Sequence, residues 1–261
     1  MLDHVRASPA SGLAPAPRFP PDDDPLWASV ASAGADSVEL KVLLLPGAGA
    51  VPSRFTGGHP GRVRQRRLYL LDTADLLLAR VGVHVRLRDR GRDRWDLTVR
   101  VRGEDAVAAL PRPAGARVEV DVLPGRALHS TELREALAAD RAVACRDGAL
   151  DVHALMTAAQ GALLAAAVPH LAGALHVHGP LTVERAVVPR PRCGLAHARH
   201  ERCRFPGGRV LEEFSARCPP GEAPTVARAL AHFLSAHGAA PATRQRTKTA
   251  AWLEELLAGA P

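Results

Sequence analysis

The sequence predicts an α+β protein built on an eight-stranded antiparallel β-barrel with covering helices. Three observations carry that expectation. About eight segments alternate apolar and polar residues, two of them place arginines on one shared face, and several Ala/Leu-rich stretches could bury the opposite face. The clearest pair is 83–88 and 95–102. In the first, Val83, Val85 and Leu87 alternate with His84, Arg86 and Arg88; in the second, Trp95, Leu97, Val99 and Val101 alternate with Asp96, Thr98, Arg100 and Arg102. Period-2 alternation reads as half-buried strand, and the polar linker 89–94 with its single Gly91 reads as a hairpin connection. Arg86, Arg88, Arg100 and Arg102 then lie in two adjacent rows. Alternation alone fits two readings of that face: the solvated side of an open sheet, or the inside of a closed barrel. A barrel of eight strands holds one small ligand, and guanidinium forks suit phosphate.

Composition narrows the function classes. The chain has 261 residues and is 47% hydrophobic, enough to bury a real core. It contains no run of 18 apolar residues, which argues against a transmembrane helix, and its first residues lack the apolar core of a signal peptide; a cytoplasmic location is expected. A net charge of +7 favours anionic partners, either nucleic acid or polyanionic small molecules. Aromatic residues make up only 3%, too few for base-stacking platforms, and no helix-turn-helix, zinc-finger or RNA-recognition signature occurs, so nucleic acid is the weaker candidate. Cys145, Cys193, Cys203 and Cys218 show no C-x-x-C spacing and read as idle thiols in a reducing compartment. His176, His178, His197 and His200 have no accompanying ligand cluster and read as ordinary core or surface histidines. Only two of the 34 basic residues are lysines, Lys41 and Lys248, in a chain without Ile or Asn. GC-rich coding replaces Lys by Arg wherever Arg suffices, which marks these two positions as ones where a compact ammonium matters.

In chain order, residues 1–35 are rich in Ala, Pro, Ser and Gly and read as a disordered tail, with Leu26 and Trp27 as a local docking spot. Residues 36–261 read as one barrel domain. Its strands are expected at 37–45, 66–71, 83–88, 95–102, 117–122, 181–188, 198–204 and 209–217. Residues 46–63 are rich in Gly and Pro, and the charge run Arg62, Arg64, Arg66, Arg67 reads as a solvated loop edge. A turn at Asp72–Asp75 leads into a short helix at 76–81 ended by Gly82. Glu119 and Asp121 share a face of strand 117–122, as metal ligands, counter-charges to arginines, or an exposed acidic edge. Residues 131–139 (TELREALAA), with Ser130 as N-cap, and 151–168 read as helices within a helical insert at about 130–172. Helices at 223–237 and 250–258 close the chain.

The segment LYLLDTADLLLARVGVHVRLR, followed by LTVRVR, resembles the CYTH family of triphosphate tunnel metalloenzymes, whose members carry a YFDTPDLxLxxxGxxLRxR stretch and then a strand ending in a basic pair. The family's first strand reads E-x-E-x-K; here it is Ser37-Val38-Glu39-Leu40-Lys41, with Ser in place of the first Glu. The SVELK, VEVD and TKT segments are similar to those of actinobacterial CYTH-like proteins. The resemblance implies a tunnel lumen collecting Glu39, Lys41, Arg86, Arg88, Arg100, Arg102, Glu119, Asp121, Arg185, Glu201, Glu213 and Lys248. It implies phosphate binding by Lys41, Arg86, Arg88, Arg100, Arg102, Arg185 and Lys248, with Lys41 and Arg86 nearest the chemistry. It also implies Mg²⁺ or Mn²⁺ held by Glu39 and Glu213, and the strand pair Glu119 and Asp121 is a further candidate for the same ion. The implied function is binding and metal-assisted hydrolysis of a triphosphate compound; the alternatives are a non-catalytic binder of polyphosphate or nucleotide, or a class IV adenylyl cyclase.

Overall fold

A computed structural model describes residues 15–45, 55, 63–103, 110, 112–189 and 193–258. Its centre is a closed barrel of nine strands: β1 (Ser37–Leu44), β2 (Arg64–Asp72), β3 (Val83–Asp89), β4 (Trp95–Arg102), β5 (Arg117–Leu123), β6 (Arg126–Leu137), β7 (His176–Val187), β8 (Arg199–Arg204) and β9 (Val210–Cys218). The order around the barrel is β1-β5-β6-β4-β3-β2-β7-β8-β9, returning to β1. The β1–β5 pair is parallel and every other pair is antiparallel. The sheet is therefore mixed and has one strand more than expected.

The extra strand is β6. Residues 131–139 are rich in Glu, Leu, Arg and Ala, strong helix formers, and that propensity misleads. Barrel closure overrides it, because β6 supplies hydrogen bonds to β4 on one side and β5 on the other. Alternation is present once the segment is taken as a strand. Leu133 is buried against the outer core, while Ser130, Glu132 and Arg134 pair in register with Arg102, Arg100 and Thr98 on the inner face. A second correction concerns the tail. Residues Pro25–Ser32 form helix α1, capped by Asp24, whose carboxylate accepts from the Leu26 N–H at 2.8 Å. Trp27 and Val30 are buried in the core. Strand β7 also begins at His176, earlier than its apolar pattern suggests.

The outward faces of the strands are apolar and are covered by helices, as a barrel with a charged interior requires. Val38, Leu40, Val42 and Leu44 of β1 pack with Phe214, Ala216 and the amphipathic helix α5 (Ala223–Ala236) through Ala227, Leu230, Phe233 and Leu234. Val83, Val85, Leu87, Leu97, Val99 and Val101 pack under α3 (Ala139–Arg146) and α4 (Ala158–Ala167). In α4, Gln160 closes a capping box with Thr157 and donates to the Leu97 and Leu133 carbonyls at 3.1 and 3.3 Å, pinning the helix to β4 and β6. The short helix α2 (Leu77–Arg80) is held by Asp72, which is fully buried. Its carboxylate accepts from the backbone N–H groups of Thr73, Leu78 and Ala79 at 2.8–2.9 Å. Gly82 ends that helix at φ +78°; a Cβ there would meet the Arg102 carbonyl oxygen at 2.4 Å.

A third apolar cluster lies inside the barrel. Leu43, Leu70, Leu181, Cys203 and Leu211 occupy inward positions two or four residues along their strands from the charged ones. They surround Ala251 and Trp252 of α6 (Lys248–Ala258). Trp252 is fully buried there, so α6 stoppers one end of the barrel.

Candidate functional site

The open end of the barrel leads into a cavity of about 330 Å³, lined by twelve basic side chains and four carboxylates, with Leu68 and Val183 at its apolar floor. Of the residues expected there, Glu39, Lys41, Arg86, Arg88, Arg100, Glu119, Arg185, Glu201, Glu213 and Lys248 all line it. Arg102 and Asp121 sit outside the cavity lining, joined by a 2.5 Å ion pair. The arginine face of the β3–β4 hairpin is thus the barrel interior, because the sheet closes on itself.

The charges divide the wall into two arcs. On β1, β5 and β6 lies a dense network. Lys41 Nζ is 3.2 Å from Glu39 and 2.8 Å from Asp121. Arg100 reaches Glu119 at 2.8 Å and donates through Nε to Glu132 at 3.0 Å. Arg217 contacts Glu119 and lies 3.5 Å from Glu39. Burial opposes ionisation of Glu39 and Asp121, yet the cations around them hold both carboxyls below their usual range. Burial likewise opposes charge on Lys41, and Asp121 and Glu39 more than restore it, raising its pKa. On β8 and β9, Lys248 bridges Glu201 and Glu213, the latter at 2.9 Å, and Arg185 also contacts Glu201.

The arc formed by β2 and β3 is different. Arg66, Arg86 and Arg88 project from it with few partners. Arg88 is held by Asp96 at 2.7 Å, but burial leaves its pKa down at about 10. Arg86 is the least compensated. Its Nε and Nη2 are shielded from solvent and without a hydrogen-bond acceptor, and its nearest carboxylate, Glu132, is 3.8 Å away. Burial, then the neighbouring Arg100 and Arg88 charges, push its pKa well below the usual guanidinium value. The same surroundings depress His84.

Three carboxylates come together: Glu39, Glu119 and Asp121 offer oxygens that all lie within 4.8 Å of one another. Glu213, the late-strand ligand implied by the resemblance, is instead engaged by Lys248. Ser37 is half-buried, paired in register with Glu119, and lines an adjoining pocket instead of the main cavity. His200 is on the outer face of β8, 3.5 Å from Glu212. Sequence reasoning missed Glu132, hidden by the helix reading, and Arg134, Arg199 and Arg217. It also placed Arg66 on a loop edge, although Arg66, Leu68 and Leu70 already alternate in the sequence.

No protein-family model matches the chain, and no curated protein matches it. Solved structures do. HpAC1 from Hippeastrum, a proposed adenylyl cyclase described as having a dominant triphosphatase activity, superposes with a TM-score of 0.58 at 16% identity, over 83% of this chain and 95% of that one. A proposed adenylate cyclase from Bacillus halodurans, bh2851, gives 0.53 at 16% identity, over 83% and 97%. The chain thus shares the fold of these two solved structures. In this barrel the motif stretch around Asp72 and Gly82 serves the scaffold. The lumen charges come from all nine strands and the start of α6, with β2 contributing Arg66 and Arg67.

Proposed function

We propose that the protein binds a triphosphate-containing compound in its barrel and hydrolyses it with the help of a divalent cation. The observation that carries this reading is Arg86: a desolvated, nearly unpartnered guanidinium among like charges, facing a cavity of triphosphate dimensions. An uncompensated charge there is costly, and an anion would offset it. Arg66, Arg88 and Arg185 would share the phosphate oxygens with it, and Lys41 and Arg100 would reach them from the opposite arc. Arginine forks are suited to such bidentate contacts.

The cation would be held by Glu39, Glu119 and Asp121. Their oxygens form a hard donor set, which fits Mg²⁺ or Mn²⁺ completed by substrate oxygens. A bound divalent ion would neutralise phosphate charge and polarise the transferred group. The chain's own residues would position the phosphates and keep the floor dry, which is most of what phosphoryl transfer asks of a protein. The test is release of phosphate from tripolyphosphate and from ATP in the presence of Mg²⁺ or Mn²⁺, with Arg86→Ala as control. Release by the wild type and not by the variant is expected. No release under any of these conditions overturns the hydrolase reading.

A second reading, a binder without turnover, is favoured by one observation. Lys41 already sits among the cluster's carboxylates, and Ser37 supplies no charge beside them. Tripolyphosphate binding that is strong and indifferent to metal would support it.

A further inference from the structure

Arg217 stands apart from the other cations of the carboxylate cluster. Lys41 lies between Glu39 and Asp121 with 10% of its side chain exposed, and Arg100 is spread over Glu119, Asp121 and Glu132 with 6% exposed. Both are fixed in the wall by burial and by several acceptors. Arg217 is 30% exposed and is held by one edge. Its Nη2 contacts Glu119 and lies 3.5 Å from Glu39, whereas its Nε is buried without a hydrogen-bond acceptor among the described residues. The side chain starts on β9, opposite Glu39 in register, and reaches across β1 to Glu119 on β5. It therefore occupies two of the three carboxylates that come together, and it also lines the main cavity.

We infer that Arg217 is a tethered cation that keeps the carboxylate cluster closed to a divalent ion until a triphosphate draws it away. The inference rests on the triphosphate reading above and adds to it how the site is loaded. A divalent ion and a guanidinium cannot share the same two carboxylates at short range, because like charges in a poorly solvated wall repel strongly. Entry of the ion therefore requires Arg217 to leave. Its departure strands neither acid. Glu39 keeps Lys41 and the Ser215 hydroxyl, which donates to it at 3.2 Å, and Glu119 keeps Arg100. An anion in the cavity offers the guanidinium a second partner, since phosphate oxygens take an arginine fork as carboxylates do. Arg217 thus has two seats, one on the carboxylates and one on the phosphate. Phosphate favours the second seat, and moving there frees the first for the metal. Metal and triphosphate then bind with positive coupling, each raising affinity for the other by the same factor. A site built this way takes up the ion together with the triphosphate and binds free Mg²⁺ or Mn²⁺ only weakly.

The test is equilibrium titration of Mn²⁺ into wild type and Arg217→Gln, each without and with saturating tripolyphosphate, with thermal melting to establish that both are folded. Tripolyphosphate binds Mn²⁺ in solution, so the two proteins are compared at identical concentrations, where that contribution cancels. Without tripolyphosphate the variant should bind Mn²⁺ about tenfold tighter than the wild type; with it the two should agree within about twofold. Arg217→Lys keeps a tethered charge and should return Mn²⁺ affinity to within about threefold of the wild type in both conditions, a rescue that a purely structural role would not give. A gain that persists undiminished with tripolyphosphate overturns the inference, because a cation that never moves repels the ion in both conditions. No gain, or a loss, without tripolyphosphate overturns it too. Either result leaves the barrel site standing when tripolyphosphate raises the melting temperature of the wild type. A wild type that tripolyphosphate does not stabilise overturns the triphosphate reading and this inference with it.

Discussion

Lys41 and Asp121 meet from adjacent parallel strands, the ammonium nitrogen 2.8 Å from Asp121 Oδ1. The same nitrogen lies 3.2 Å from Glu39, so one lysine partly neutralises the carboxylates best placed to hold a cation. A cation entering that cluster competes with Lys41. Lys41→Met should therefore tighten Mn²⁺ binding in the absence of phosphate by roughly tenfold, since one neighbouring like charge is removed at short range. Calorimetric titration of Mn²⁺ into both proteins reads this directly. Weaker binding by the variant would place the metal elsewhere.

Ser37 and Glu39 extend the same comparison. A hydroxyl is a weaker ligand for a hard cation than a carboxylate. Ser37→Glu should tighten Mn²⁺ binding in the presence of tripolyphosphate, and Glu39→Gln should weaken it. If wild type and both variants bind the ion equally, neither side chain contributes, and the binder reading gains over the enzyme.

Arg86 gives a prediction with two opposite signs. With no ligand, Arg86→Ala removes a desolvated charge among like charges, so the variant should be no less stable than the wild type. A gain on the order of 1 kcal/mol would appear as a rise of roughly 2–4 °C in Tm. With millimolar tripolyphosphate the order should reverse, because ligand stabilisation follows affinity for the native state. Removing Arg88 as well should abolish the shift. A variant that loses stability alone while keeping the full ligand shift would show that Arg86 is structural.

Glu201 links the barrel to pH. Burial opposes its ionisation, but Lys248 and Arg185 hold its pKa at about 2, below the ordinary 4.5 of a glutamate. A carboxylate with a depressed folded pKa stabilises the fold fully above its unfolded value, and the contribution is lost as pH falls from about 4.5 toward about 2. Chemical denaturation as a function of pH should show stability declining through that window. Glu201→Gln leaves Lys248 partly unpaired in the interior and should cost about 3–5 kcal/mol at neutral pH, while flattening the acid limb. An unchanged acid limb in the variant would assign the acid sensitivity to other carboxylates.

The Asp72–Gly82 segment should behave as scaffold. Asp72→Ala strands three backbone N–H groups in the interior, at about 1–3 kcal/mol each where water cannot replace the carboxylate. Gly82→Ala drives a methyl into the Arg102 carbonyl from a positive-φ position. Both should lower the denaturation midpoint. Tripolyphosphate affinity of the folded fraction should stay near the wild-type value.

The pattern of what was legible follows from physics. The β3–β4 hairpin was readable because apolar and basic residues alternate there without interruption, and the inward face of its arginines followed once closure was granted. Residues 126–137 were not readable, since their residues favour a helix in isolation and only the neighbouring strands β4 and β5 make them a strand. That one misreading hid Glu132, the acid that anchors Arg100 and Arg134. Individual ligands were legible only as types. Glu213 and Glu119 are both carboxylates on inward strand positions, and nothing local says that the first would be taken by Lys248 and the second would join Glu39. Helix α1 was hidden by composition: Pro and Asp read as tail signals, whereas Asp24 is a helix cap and Pro25 sits in the first turn.

The stopper formed by Trp252 closes one end of the barrel, so that among the described residues it is a well and not an open tunnel. A phosphate chain must therefore enter end first and leave by the way it came, and only its leading phosphates can reach Arg86 and the carboxylate cluster. A ring of phosphates has no terminal group to lead it in and brings fewer charges to the arginine forks. Cyclic trimetaphosphate, with the same elements and three of the same negative charges, should fail to raise the melting temperature at concentrations where linear tripolyphosphate raises it.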